Sequence, residues 1–167
     1  MENIGKGAFW FFLVACIVCV IGYGYAEYVI KRDVTDYLER AQVASDATDM
    51  YKHLTSLKTG METYGMTRGY AAFIFTKPSN NMEFIYQSVS RSHERIGEAC
   101  EFDTTTEAGV LQYDTRLDDV RGVLRELQIP AMEFWWRHTP VGLMLMVIGW
   151  SSFILVCFIG LIWLIAW

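Results

Sequence analysis

Two stretches of the chain carry no charge. Residues 7–26 give 20 consecutive uncharged positions, and residues 139–167 give 29 more, nearly all apolar. A helix rises about 1.5 Å per residue and needs about 20 residues to cross a hydrocarbon core of about 30 Å, so each stretch is long enough to span a bilayer. Between them the pattern changes to apolar residues recurring every three or four positions, the period of a helix with one buried face. It is cleanest at Val110, Tyr113, Leu117, Val120, Leu124 and Leu127, where the spacing runs 3, 4, 3, 4, 3. Asp114, Arg116, Asp118, Asp119, Arg121, Arg125 and Glu126 occupy the other faces, as in a coiled-coil-like seam. Thr104 to Thr106 supply an N-cap and Glu107 an acid for the first turn.

Three more helices are predicted before this one. Val34, Tyr37, Ala41, Ala44, Thr48, Tyr51 and Leu54 repeat the spacing, giving a first long helix continuous with the first span and stopping at Lys58-Thr59-Gly60. A shorter second helix is expected from about Met61 to Thr76, with the apolar run 70–75 buried. Lys77-Pro78-Ser79-Asn80 breaks it, because the residue before a proline is pushed out of helix. A third helix is expected from about Asn81 to Cys100, with Met82, Ile85, Val89 and Ile96 on its inner seam. No run alternates with the period of two that marks a strand. The expected architecture is all-α, with two transmembrane helices flanking an up-down-up-down four-helix bundle. Residues 1–6 form a short cytoplasmic N-terminus, 7–30 the first span, 31–138 the bundle and 139–167 the second span. The region of Gly60 and of Glu101 to Thr106 is placed at the distal tip, and Lys77 to Asn80 near the membrane. The first span reads as an uncleaved anchor, since it is long for a signal peptide and Tyr23 and Tyr25 make a poor cleavage site.

Composition narrows the function classes. The chain has 167 residues, 53% of them hydrophobic, and a net charge of −5. Apart from Glu2 and Lys6, every charge lies between the apolar stretches. This mixed, mildly acidic segment offers no basic face to nucleic acid and no polybasic run to anionic lipid. Two spans exclude a multi-span channel or transporter acting alone. Neither span has a charge or histidine in its interior, which argues against proton relay, ion conduction or pigment ligation. Cys16 and Cys19 fall in the first span and Cys157 in the second, where cysteine packs as a small apolar residue. Cys100 has no partner cysteine in the middle segment; in an oxidising compartment it is free or cross-links to another chain. Charge leaves the orientation contested. Lys6 and the α-amino group favour a cytoplasmic N-terminus, whereas Lys31, Arg32 and Arg137 favour a cytoplasmic middle segment.

Candidate chemistry is sparse. His53 and His93 both fall near the distal end of the segment, with Met50 one turn from His53, and are the only ligand candidates for a haem or metal. Both sit one place off their seams, and the Glu-x-x-His pairs of di-iron bundles are absent, so boundary positions are expected and no cofactor or metal is assigned. His138 beside Trp135, Trp136 and Arg137 reads as an interfacial anchor, as do Trp10, Trp163 and Trp167 at the other ends of the spans. The acids between Glu98 and Asp119 read as a solvated end. No nucleophile elbow, zinc-protease motif or phosphate loop is present, so no catalytic residue is assigned and the chain is not expected to be an enzyme. The clearest signal in the spans is small residues: Ala15, Gly22 and Ala26 in the first, and Gly142, Gly149, Ser152 and Gly160 in the second. Small residues let helices approach closely in lipid, so these faces pack on each other or on another protein.

A four-helix bundle between two membrane helices resembles the sensor domains of bacterial chemoreceptors and histidine kinases. The segment Met61-Glu62-Thr63-Tyr64-Gly65-Met66-Thr67-Arg68-Gly69-Tyr70 resembles the CHASE3 pattern, in which Arg-Gly-Tyr in the second helix precedes an apolar run and a turn. The likeness covers about 30 residues by motif and about 110 by architecture. Ala71 to Thr76 stands where the family has Leu-Leu-Thr-Gly, and the turn comes about two residues late. Family members continue into a cytoplasmic signalling module, whereas this chain reaches Trp167 without one. The resemblance implies a bacterial inner-membrane protein with an extracytoplasmic bundle. It assigns Arg68, Gly69 and Tyr70 a role in fixing the turn or the bundle interior, so that Arg68→Ala is expected to disturb folding or assembly. The functional expectation is a non-catalytic accessory subunit of a larger membrane complex, with other integral membrane subunits or further copies of itself as partners besides the lipid bilayer. The alternative is a sensor subunit without output, which binds a ligand or partner through the bundle and signals through partner spans.

Overall fold

The computed structural model describes residues 2–72 and 76–165. The elements among them are helices: α1 (Glu2–Ile30), a π-helical segment (Lys31–Thr35), α2 (Asp36–Val43), α3 (Ala47–Thr63), α4 (Met82–Cys100), α5 (Glu107–Glu126), α6 (Ala131–His138) and α7 (Pro140–Ile165), with a short 3-10 turn at Pro78–Asn80. No strand occurs among the described residues; one isolated antiparallel bridge joins Tyr70 to Asn81. The chain divides into two units, residues 1–28 with 136–167, and residues 29–135.

The first unit contains two helices long and apolar enough to cross a membrane. Only 6% of the most apolar window of each is buried, so neither resembles the core helix of a water-soluble domain. They run antiparallel: a Cβ on Gly22 would meet the Leu145 side chain at 3.3 Å, and one on Gly149 would meet Cys19 at 3.5 Å. Tyr23 stacks on Trp136 with ring centroids 4.9 Å apart.

The second unit has one apolar core. Ile30, Val34, Leu38, Ala41 and Ala44 line the first leg, and Ala47, Met50, Leu54, Leu57 and Met61 the second. Met82, Ile85, Val89, Ile96 and Ala99 come from α4, and Leu117, Val120 and Leu124 from α5. From α2 to α5, successive helices are antiparallel neighbours. The Tyr86 hydroxyl of α4 donates to Glu62 near the end of α3, and higher up His93 lies against Tyr51. At the far end Arg121 donates to the carbonyl of Ala44, Gln42 donates to that of Leu124, and the Ala47 amide donates to the Tyr113 hydroxyl. The α4 and α5 helices begin as expected, at the caps Asn81 and Thr106.

The first two predicted helices are drawn differently by the structure. The first leg stops at Val43, where Ala44 turns extended, and Asp46 caps a new helix by accepting the Asp49 amide at 2.8 Å. A side-chain cap and an acid in the first turn stabilise a helix start by about 1 kcal/mol, enough to place the hairpin here. The seam then shifts by one residue, to Ala47 and Met50, and Tyr51 is left exposed. Val110 is exposed as well, one turn beyond the buried part of the α5 seam.

Gly60 does not end a helix. It lies inside α3 because a Cβ there would stand 2.2 Å from the Asp33 carbonyl oxygen, so only glycine lets α3 approach the π segment. The helix ends instead at Thr63. Gly65 takes the left-handed conformation (φ +69), its amide donates to Glu62, and the Met66 amide donates to Met61 at 2.7 Å. That is a Schellman cap, closed by the buried side chain of Met66. Of the second helix predicted over 61–76, residues 61–63 form the end of α3 and the rest of its described part is a loop. Gly69 has φ +93, and its carbonyl accepts the Met82 amide. Arg68 and Tyr70 are exposed on this loop rather than inside a bundle, Ala71 is buried, and residues 73–75 of the apolar run lie outside the described residues.

Candidate functional site

The two apolar helices are candidate surfaces, and their residue sizes are sorted by face. On α1 the covered positions include Ala15, Cys16, Cys19, Gly22 and Ala26; on α7 they include Gly142, Leu145, Gly149 and Ser152. Both sets follow helical spacing of three and four, so each helix presents one narrow inward stripe. Most of the large side chains point away from it, while Phe12, Leu13, Leu145, Val156 and Ile159 are half-buried. Trp10, Phe11, Val20 and Ile21 on α1, and Trp150 (64% exposed), Phe153 (56%), Ile154 and Phe158 on α7, are all exposed. Burying side chains of this size is worth about 1.5–3 kcal/mol each, so a surface like this is covered by lipid or by protein.

The predicted small residues divide accordingly. Gly22 and Gly149 make the close approaches between α1 and α7. Ser152 is buried, and Ala15 and Ala26 are half-buried. Gly142 is buried against its own preceding turn: a Cβ there would meet the Trp136 backbone and the Thr139 hydroxyl at 2.9 Å. Gly160 faces open space. The predicted anchors Trp163 and Trp167 have side chains outside the described residues.

A second feature lies where α1 gives way to the middle unit. The Asp36 amide donates to the Lys31 carbonyl, five residues back, which is the wide turn of a π helix. Inside that turn Asp33 gathers three donors. Arg32 Nε reaches Oδ1 at 2.7 Å and its Nη2 reaches Oδ2 at 3.1 Å, while the Tyr64 hydroxyl donates to Oδ2 at 2.8 Å. With Gly60 packed on the Asp33 carbonyl, the end of α3 is fastened to the segment that directly follows α1. None of these roles is readable from the sequence alone. Tyr64-Gly65-Met66 is the available signal, since a glycine followed by an apolar residue marks a helix end.

The histidines are kept apart by their neighbours. His53 lies beside Tyr37 of the first leg, with ring centroids 6.3 Å apart. His93 stacks on Tyr51 at 4.3 Å and places Nε2 2.9 Å from the Thr55 hydroxyl. Partial burial pushes the His93 pKa below its ordinary value, the Lys58 charge adds to this, and Glu94 opposes it. Tyr86 is pushed up, chiefly because it donates to Glu62. Among the described residues no three His, Cys, Asp or Glu side chains converge as a metal site. All four cysteines are free thiols, Cys19 buried and Cys100 exposed. What this set of groups offers is surface and mechanical linkage. No family model, no curated protein and no solved structure matches the chain.

Proposed function

We propose that this protein is a non-catalytic integral membrane subunit. It docks into a larger membrane assembly through the outward faces of α1 and α7. Residues 29–135 form an up-down-up-down four-helix bundle on the extracytoplasmic side. The observation that carries the reading is the sorting of sizes in the first unit. The small residues that favour helix contact in lipid are largely taken up between α1 and α7, while the bulky faces stand uncovered along both helices. The antiparallel order of the second unit's helices supports the bundle. The side of the membrane rests on the sequence likeness of the Arg68-Gly69-Tyr70 segment to CHASE3 domains, a segment that is a loop here and not the second helix of that pattern, and on Lys6 at the N-terminus.

Extraction from native membranes in mild detergent, followed by mass spectrometry, tests the assembly. A stoichiometric companion complex is expected; recovery of the chain alone or as a homodimer overturns the accessory-subunit reading. Cys100 tests the side. It is exposed in the water-facing unit, so a membrane-impermeant maleimide added outside intact cells labels it. Labelling only after lysis places the bundle in the cytoplasm.

The π segment favours a second reading, a sensor subunit without output. A π turn holds one residue more than an α turn. Moving that residue along the helix would change the helical phase of the segment that follows α1, a change that partner spans could read. Ligand-dependent labelling of span cysteines in the assembled complex would support this reading, and a homodimer or a companion kinase would raise it above the first.

A further inference from the structure

The second unit carries an exposed aromatic and basic face at the end where its chain continues from α1. Tyr64 and Gly60 both touch Asp33, only three residues after Ile30, so the loop after Tyr64 starts at that end. The loop returns to the same level: the Tyr70–Asn81 bridge and the Met82-to-Gly69 hydrogen bond bring the start of α4 beside it. Here Tyr70 is 42% exposed and Phe84, on the first turn of α4, is 52% exposed, with Arg68 and Lys77 exposed on the same loop. Glu83 adjoins Phe84 and accepts a hydrogen bond from Gln87.

We infer that Tyr70, Phe84, Arg68 and Lys77 form an interfacial contact with the lipid headgroup layer, additional to the two spans. Three observations select lipid as the occupant. Chain continuity keeps Asp33 within about one helical turn of the last residue of α1. The pairing of amphipathic aromatic rings with long basic side chains suits the headgroup region, where rings sit at the hydrocarbon edge and cations meet phosphate. The opposite end of the unit exposes Val43, Val110 and Leu111, and its one exposed ring, Tyr51, lies on His93; Tyr70 and Phe84 are the most exposed aromatic side chains described in this unit. The inference rests on the membrane reading of α1 and α7.

Phe84→Cys, Tyr70→Cys and Leu111→Cys are made separately in a Cys100→Ser background. Each is labelled with a charged maleimide fluorophore that does not enter lipid, and reconstituted in phosphatidylcholine nanodiscs. A lipid nitroxide near the headgroup is expected to quench the labels at 84 and 70 at least about twofold more than the label at 111. Circular dichroism of each labelled protein confirms that its helices are retained. In the same discs a deep nitroxide reports on the native tryptophans of the spans. If the tryptophans are quenched and the labels at 84 and 70 behave like that at 111, the interfacial contact is overturned and the membrane reading stands. If the tryptophans are not quenched either, both fall.

Discussion

The two units use one spacing with opposite residue sizes. In residues 29–135 the stripe at three- and four-residue spacing holds Met50, Leu54, Leu57, Val89, Ile96 and Leu124, and the opposite faces hold charge. In α1 and α7 the inward stripe is richest in small residues, Ala15, Cys19, Gly22, Gly149 and Ser152, with Phe12, Leu145 and Val156 half-buried among them, and the opposite faces hold Phe, Trp, Ile and Val. The solvent explains the inversion. In water, burying large side chains drives association. In lipid, apolar bulk gains nothing by leaving the tails, so close backbone approach is what holds two helices together. On the membrane reading of α1 and α7, the residue sizes on the stripe follow the medium around the helix, and the exposed face of the first unit is where the proposed partner would be met.

The largest effect that tests this comparison is a paired truncation. Leu54→Ala removes a fully buried side chain from the second unit and is expected to cost about 2–5 kcal/mol in chemical denaturation of the reconstituted protein. Phe153→Ala, on the outward face of α7, is expected to change stability in lipid by no more than about 0.5 kcal/mol. Equal losses at the two sites would remove the distinction between the units.

Two glycines sharpen it within the second unit. Gly60→Ala is expected to destabilise by about 1–3 kcal/mol, because the new methyl meets the Asp33 carbonyl at 2.2 Å. Gly122→Ala on α5 meets nothing within 4 Å and should stabilise by up to about 1 kcal/mol, the ordinary helix preference of alanine. Thermal melts of the two variants should move in opposite directions. Asp46→Ala removes the cap of α3 and is expected to cost about 1 kcal/mol, read in the same melts.

The smallest effect is a pH dependence. His93 binds its proton less readily folded than unfolded. Its contribution to stability is present above its ordinary value of 6.5 and is lost as the pH falls through the lowered native value. His93→Gln should flatten this part of the stability profile. A profile unchanged by the substitution would mean that burial and the Lys58 charge do not favour the neutral ring.

The sequence makes some of these features plain and hides others for physical reasons. The spans follow from length and charge alone, and α4 and α5 from seams set between clear breakers. The hairpin at Ala44 to Asp46 is hidden because alanine is a strong helix former and the apolar spacing continues through it; only Asp46 and Asp49 mark the new start. Gly60 misleads because a glycine that ends a helix and a glycine that admits a neighbouring backbone look alike in one dimension. Its partner is the Asp33 carbonyl, which comes near only after folding. Arg68-Gly69-Tyr70 reads as helix by resemblance, whereas Gly65 and Gly69, both at positive φ, turn it into a loop. The fastening of Tyr64 to Asp33 spans 31 positions and has no local signature.

The proposal that matters most is that the outward faces of α1 and α7 meet a protein partner. A photo-crosslinking amino acid placed at Phe153 or Phe158, on the outward face, and at Ser152, on the inward stripe, tests this in native membranes. A discrete adduct to another membrane protein is expected from 153 or 158, and from 152 only a cross-link within the chain. Lipid adducts alone from both outward positions would contradict it.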